Sequence, residues 1–91
     1  MKLPIDIDDR IENDFPDKDE RELVKDIISA LSVNEKTRVA RCILFVASGD
    51  MNRLEKLEAL ASTDYRDVIM AGEYEYPSNK RLRDFNEPFS T

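Results

Sequence analysis

The first part of the chain carries a cluster of carboxylates that could act as a metal-binding loop. The cluster consists of Asp6, Asp8, Asp9, Glu12 and Asp14. A calcium-binding EF-hand loop also needs a glycine at its sixth position and a bidentate glutamate at its twelfth. Counted from either of the first two members, neither position holds the required residue. We therefore predict a solvated acidic segment and no metal site.

A second pair of carboxylates, Glu55 and Glu58, is three residues apart on one predicted helix. Paired carboxylates can bind metals or transfer protons, but a di-iron site in a helix bundle also needs histidines in Glu-x-x-His motifs. The chain contains no histidine. Because Arg53 and Lys56 alternate with the two glutamates, we predict a charged helix face exposed to water.

The sequence lacks the residue types on which most catalytic sites depend. Without histidine there is no Ser-His-Asp or Cys-His nucleophile and no imidazole zinc site. The single cysteine, Cys42, lies in the apolar run 39–46 and is expected to be a buried, unreactive thiol. Two glycines, Gly49 and Gly72, are too few for a phosphate-binding loop. We predict a protein that is not an enzyme and that binds no cofactor.

Basic residues concentrate in one predicted helix and near the C-terminus. The candidate anion-binding patch consists of Arg38, Arg41, Lys80, Arg81 and Arg83. If the C-terminal residues fold back beside the helix, these side chains could together bind phosphate or nucleic acid. They could instead pair with the acidic N-terminal residues of the same molecule, or remain solvated.

Aromatic residues cluster in the C-terminal part of the chain, where little regular structure is expected. The candidate partner surface consists of Tyr74, Tyr76, Phe85 and Phe89. Aromatic rings outside helices either dock on the body of the protein or anchor a partner, and both alternatives stay open here.

The formal net charge is −6, and it is concentrated near the N-terminus. Residues 1–26 hold ten Asp and Glu against five Lys and Arg, whereas residues 27–91 hold ten against nine. An acidic protein is repelled by phosphate backbones unless it has a local basic face. The composition therefore disfavours nucleic acid as a partner.

The pattern of apolar residues gives no sign of a membrane segment. The longest apolar run, residues 42–47, covers about a third of a membrane span. The N-terminus leads into acidic residues, so we see no signal peptide. A lone cysteine fits a reducing compartment. We expect a cytoplasmic protein that does not bind membranes.

Apolar residues recur at a spacing of three or four, which is typical of amphipathic helices. The clearest example places Leu23, Ile27 and Leu31 on one face. Gly49 followed by Asp50 indicates a tight reversal, because glycine favours the left-handed position that ends a helix and aspartate caps the next one. We predict an all-α fold, a small antiparallel bundle of about four helices. The expected helices span about residues 19–31, 34–48, 50–62 and 64–74.

Two helix starts have the spacing of a capping box, in which a capping side chain is followed three residues later by glutamate. These are Asp19 with Glu22, and Ser32 with Glu35. A further break is expected at residues 62–64, where Asp64 would begin the last helix.

The chain is expected to form one helical domain with an extension at each end. Residues 1–18 carry two prolines and many aspartates, which favour turns over helix, and predict an irregular acidic arm. Within it, Leu3, Ile5 and Ile7 alternate as in a short extended piece. The helical domain covers residues 19–76, and residues 77–91 form an aromatic and basic tail.

These observations favour a non-enzymatic protein–protein interaction or regulatory module of 91 residues. It would recognise another protein, or a second copy of itself, through a helix face or the tail. The alternative is nucleic-acid or phosphate-anion binding through the local basic patch.

Overall fold

A computed structural model describes residues 3–75 and 80–89 of the chain. Within these residues four α-helices are followed by a short antiparallel ribbon that pairs Tyr74 with Arg81. The elements are α1 (Ile5–Asp14), α2 (Lys18–Ser29), α3 (Lys36–Ala47), α4 (Met51–Glu73), β1 (Tyr74–Glu75) and β2 (Lys80–Arg81). The predicted all-α bundle is confirmed, since each strand of the ribbon has only two residues.

Helix α1 lies inside the segment that was expected to be an irregular arm, so that prediction was wrong for residues 5–14. Ile7, Ile11 and Phe15 follow one another at intervals of four residues, and each is at most 1% exposed. Burial of this apolar stripe outweighs the poor helix propensity of the aspartates between them, because tertiary packing supplies most helical stability. The alternation that suggested an extended piece was misleading.

Helix α2 begins at Lys18, and its N-cap is Asp17. The Asp17 carboxylate accepts hydrogen bonds from the backbone N–H groups of Asp19 and Glu20, at 2.9 and 3.1 Å. The predicted cap at Asp19 was therefore placed two residues too late. This helix packs Val24 and Ile28 into the core.

Helix α3 is the most buried helix of the described chain, as its apolar second half suggested. It begins at Lys36, and Glu35 before it has a left-handed backbone with φ of 54°. The predicted capping box of Ser32 and Glu35 is therefore wrong, because Glu35 makes no side-chain cap. Cys42 and Ile43 have no exposed surface.

The reversal predicted at Gly49 and Asp50 is confirmed. Gly49 has φ of 84°, and the Asp50 carboxylate accepts a hydrogen bond of 3.2 Å from the backbone N–H of Arg53. Helix α4 therefore runs back antiparallel along α3. A Cβ atom at Gly72 would lie 2.7 Å from the Cβ of Cys42, so glycine permits the close approach of the two helices.

Helix α4 contains the break that was expected between the last two predicted helices. Asp64 has non-helical backbone angles, φ −154° and ψ 99°, within the otherwise continuous helix. Its carboxylate accepts a hydrogen bond of 3.1 Å from the backbone N–H of Arg66, as an N-cap would. The two predicted helices thus form one kinked element.

The part of the C-terminal tail that the structure describes is docked on the helices. Phe85 is 6% exposed and belongs to the same apolar core as Ile11 and Leu44. The backbone N–H groups of Leu82 and Arg83 both donate to the carbonyl of Glu73, at 2.7 and 3.2 Å. We call residues 80–89 the C-terminal segment.

Among the described residues, none of the helices combines the length and the apolar composition that a bilayer span requires.

Candidate functional site

A fully buried carboxylate, Glu73, joins α3, α4 and the C-terminal segment. Arg38 donates to both of its oxygens, with Nε at 2.8 Å from Oε2 and Nη2 at 2.7 Å from Oε1. Arg81 Nη2 lies 3.1 Å from Oε1, and the backbone N–H of Phe85 donates to Oε2 at 2.9 Å. Glu73, at the end of α4, therefore accepts hydrogen bonds from α3 and from two residues of the C-terminal segment.

A second carboxylate, Asp6, joins α1 to α3 and to the end of the C-terminal segment. Arg41 donates through Nε and Nη2 to the two Asp6 oxygens, at 2.8 and 3.2 Å. Its Nη1 donates to the carbonyl of Phe85 at 3.1 Å. The backbone N–H of Phe89 donates to Asp6 at 3.2 Å. Arg41 thus links α1 and the C-terminal segment to α3, and its guanidinium is engaged in these contacts.

Aromatic rings of α3 and of the C-terminal segment pack against one another and against two guanidinium groups. The ring centroid of Phe85 lies 5.4 Å from that of Phe45 and 5.5 Å from that of Phe89. Arg83 covers the Phe45 ring, with its Cζ 4.4 Å from the centroid. Arg10 covers the Phe89 ring at 4.9 Å. These contacts add cation–π attraction to the docking of the segment.

The electrostatic environment favours the charged form of both carboxyl groups. Burial raises the pKa of Glu73, but hydrogen bonds from Arg38 and the Phe85 N–H, with the charges of Arg38 and Arg81, more than offset it, so the pKa falls below its usual value. For Asp6, the hydrogen bond from Arg41 lowers the pKa despite the opposing effect of burial.

We expect acid to destabilise the fold through these two groups. Their ordinary pKa values are 3.8 for Asp and 4.5 for Glu, and the folded values lie lower. Their stabilising contribution is therefore complete above the ordinary values and is lost as the pH falls through the folded ones. Urea midpoints measured from pH 7 to about 2 should fall steeply at the acid end, and less steeply in D6N.

The matched control for this titration is D9N. Asp9 is an exposed neighbour on the same helix that forms no ion pair with any other described residue. Its replacement should keep the steep fall of the natural chain at the acid end. A D6N profile as steep as that of the natural chain would contradict the assignment.

The acidic cluster of the N-terminal segment lies on α1, and its members contact several partners. The carboxylates of Asp8, Asp9 and Glu12 have oxygens within 4.8 Å of one another. The ammonium of Lys25 on α2 lies 2.9 Å from Asp8 and 3.5 Å from Glu12. It therefore offsets part of the negative charge of this group, through Asp8 and Glu12.

The other two members of the cluster form different ion pairs. Asp6 binds Arg41, and Asp14 binds the Nε of Arg10 at 2.7 Å. On α4, Glu55 is exposed and Glu58 is partly exposed.

The five residues of the candidate anion patch do not assemble as free cations. Arg38 and Arg81 are held by Glu73, and Arg41 by Asp6, so pairing with N-terminal acid is what the structure shows for Arg41. Lys80 is exposed, and Arg83 lies on the Phe45 ring.

The residues of the candidate partner surface differ in burial. Phe85 is buried, whereas Tyr74 and Phe89 are partly exposed. Tyr76 lies outside the described residues. Cys42 is fully buried, as predicted, and burial raises the pKa of its thiol to about 12.

An open groove of about 870 Å³ lies between α1 and the C-terminal segment. Its lining residues are Ile5, Asp6, Asp9, Arg10, Asn13, Asp14, Pro88 and Phe89. Ile5 is 76% exposed, the largest exposure among the big apolar side chains of the described chain. Ile5 and Asp9 also line a neighbouring groove of about 420 Å³ against α2. The sequence did not predict this surface, because it depends on α1 being a helix.

The interface of α1 with the C-terminal segment offers apolar surface and fixed charges. Its arginines and aspartates are largely paired with one another, which suits recognition more than proton transfer. Comparison with known proteins found no match, whether to a family model, a curated protein or a solved structure. Function therefore has to be inferred from the geometry.

Proposed function

We propose that the chain is a non-enzymatic protein-binding module whose binding surface is the groove between α1 and the C-terminal segment. The observation that carries this proposal is the position of Ile5, which is 76% exposed beside Phe89 and Pro88. Exposed apolar side chains that adjoin in a groove with a polar rim are typical of protein interaction sites.

Charge indicates what kind of partner fits. Helices α1 and α2 carry nine acidic residues against four basic ones, and Asp9 and Asp26 on the groove rims pair with no cation of the described residues. A segment that presents an apolar side chain flanked by Lys or Arg would complement this surface in shape and charge. We therefore commit to a basic, partly apolar segment of another protein as the occupant.

A pair of matched variants tests the proposal. I5D places a charge in the groove at the first residue of α1, where aspartate is well tolerated. L23D makes the same kind of change at an apolar residue of α2 that is 47% exposed. In affinity capture from an extract of the source cells, we expect retained proteins that are lost with I5D and kept with L23D. Higher salt should weaken their retention.

Two results would contradict this proposal. One is that no protein is retained in a way that depends on Ile5. The other is a melting temperature that rises with protein concentration and loses that dependence in I5D, which would make a second copy of the chain the occupant.

A further inference from the structure

A further pocket of about 370 Å³ shares Arg10, Pro88 and Phe89 with the groove but is not lined by Ile5. Its lining residues are Arg10, Phe45, Leu82, Arg83, Asp84, Phe85, Pro88 and Phe89. Its lining is largely aromatic and apolar, includes the half-exposed Leu82, and also contains two arginines. A volume of this size is that of a small-molecule site.

The two arginines converge on one ring. The Cζ atoms of Arg83 and Arg10 lie 4.4 and 6.0 Å from the centroid of Phe45. Both arginines line the pocket, so an anion bound there would be attracted by two positive charges. A planar guanidinium group presents its N–H donors as a fork, which matches the geometry of a carboxylate.

The hydrogen bonding of these arginines leaves donors available. Arg10 uses its Nε for Asp14, at 2.7 Å. The Nε of Arg83 is the one buried side-chain nitrogen or oxygen of the described residues that has no hydrogen-bond partner. A buried donor without an acceptor is unfavourable, and an oxyanion in the pocket would supply the acceptor.

The surrounding carboxylates are already engaged. Asp84 accepts from Arg81 Nη2 at 2.9 Å and from the backbone N–H of Asn86 at 3.0 Å. Asp14 lies on Arg10, and Glu73 is held by Arg38 and Arg81. Arg83 thus differs from the other arginines of the candidate anion patch, which have carboxylate partners.

We propose that this pocket binds a small carboxylic acid, with the carboxylate between Arg10 and Arg83 and an apolar or aromatic group on Phe45 and Phe89. The site goes beyond the proposed function, since it needs neither Ile5 nor a protein partner. Its failure would leave the groove untouched, and failure of I5D to alter protein capture would leave this pocket untouched.

N-acetyl-phenylalanine is a suitable probe, because it joins a carboxylate to an aromatic ring. We expect the Nε–H signals of Arg83 and Arg10 in ¹⁵N-resolved NMR to shift saturably, with a Kd on the order of 1 mM for a probe of this size. The neutral amide of the same compound should bind at least about tenfold more weakly, because it lacks the charge. Inorganic phosphate should also bind about tenfold more weakly, because it gains nothing from the rings.

Variants separate this site from general attraction to positive charge. R83Q should weaken binding of N-acetyl-phenylalanine by about tenfold or more. K80Q removes the same charge from an exposed residue of the same segment and should leave the affinity unchanged within about twofold. Absence of a saturable shift, equal binding of the amide or of phosphate, or an equal loss in K80Q would each overturn the proposal.

Discussion

Replacement of Glu73 with alanine is expected to lower the free energy of unfolding by about 3–5 kcal/mol. The side chain has no exposed surface, and it accepts from Arg38, from Arg81 and from the backbone N–H of Phe85. Its removal leaves the Nε and Nη2 of Arg38 and the buried N–H of Phe85 without an acceptor, whereas the Nη1 of Arg38 keeps Glu35 at 3.1 Å. Urea denaturation followed by circular dichroism measures the loss.

The control for E73A is E87A, which removes an exposed glutamate from the C-terminal segment. A surface substitution of this kind should change stability by no more than about 0.5 kcal/mol. Similar small losses in both variants would show that Glu73 does not organise the fold. Such a result would also remove the basis for the acid sensitivity assigned to this group.

A double variant distinguishes loss of the ion pair from loss of packing. Replacement of Glu73 with leucine and Arg38 with methionine removes both charges and keeps apolar volume. Buried ion pairs replaced by apolar residues of similar volume often cost little, because the charges no longer need to be desolvated. We therefore expect E73L combined with R38M to be more stable than E73L alone. R38M alone completes the cycle, and an equal effect of R38M in the natural chain and in E73L would indicate that the charges are not coupled.

Local signals along the chain were enough to predict much of the helical scaffold. Apolar spacing located α2 and α3, and the Gly49–Asp50 reversal located the antiparallel pair of α3 and α4. The interruption at Asp64 was also readable, since aspartate favours a cap over the interior of a helix. These features depend only on residues near one another in the chain.

Helix α1 was not predicted, because the aspartate content of this segment favours turns whereas the spacing of its apolar residues favours a helix. The aspartates favour turns, yet Ile7, Ile11 and Phe15 have helical spacing and are all buried. The part of this signal formed by Ile11 and Phe15 was visible in the sequence. Tertiary packing decided the outcome, because α1 is covered by α2, α3 and the C-terminal segment.

The carboxylate contacts of the candidate site could be predicted only in part. Glu73 follows Ile69 by one helical turn, so its place beside an apolar stripe is a readable sign of a buried charge. Asp6 gives no such sign, and the arginine partner of each carboxylate is 35 residues away in the sequence. Whether an arginine is solvated or paired with a carboxylate depends on how helices that are distant in sequence pack together.

Phe85 should prove to be a core residue even though it lies in a segment with almost no regular structure. It is 6% exposed and lies between the rings of Phe45 and Phe89. We expect F85A to lower the free energy of unfolding by about 3–5 kcal/mol, which is the usual cost of deleting a buried aromatic ring. For a domain with a total stability of about 5–15 kcal/mol, the loss would be evident in a thermal melt.

L82A is the matched control for F85A, since Leu82 is an apolar residue of the same segment that is 48% exposed. Its loss should cost less than about 1 kcal/mol, because little surface is removed from contact. Equal melting of F85A and the natural chain would mean that the segment is a free partner surface. Amide hydrogen exchange adds a second readout, because the backbone N–H of Phe85 is bonded to buried Glu73. Its protection should match that of the global fold in the natural chain and fall in parallel with stability in F85A.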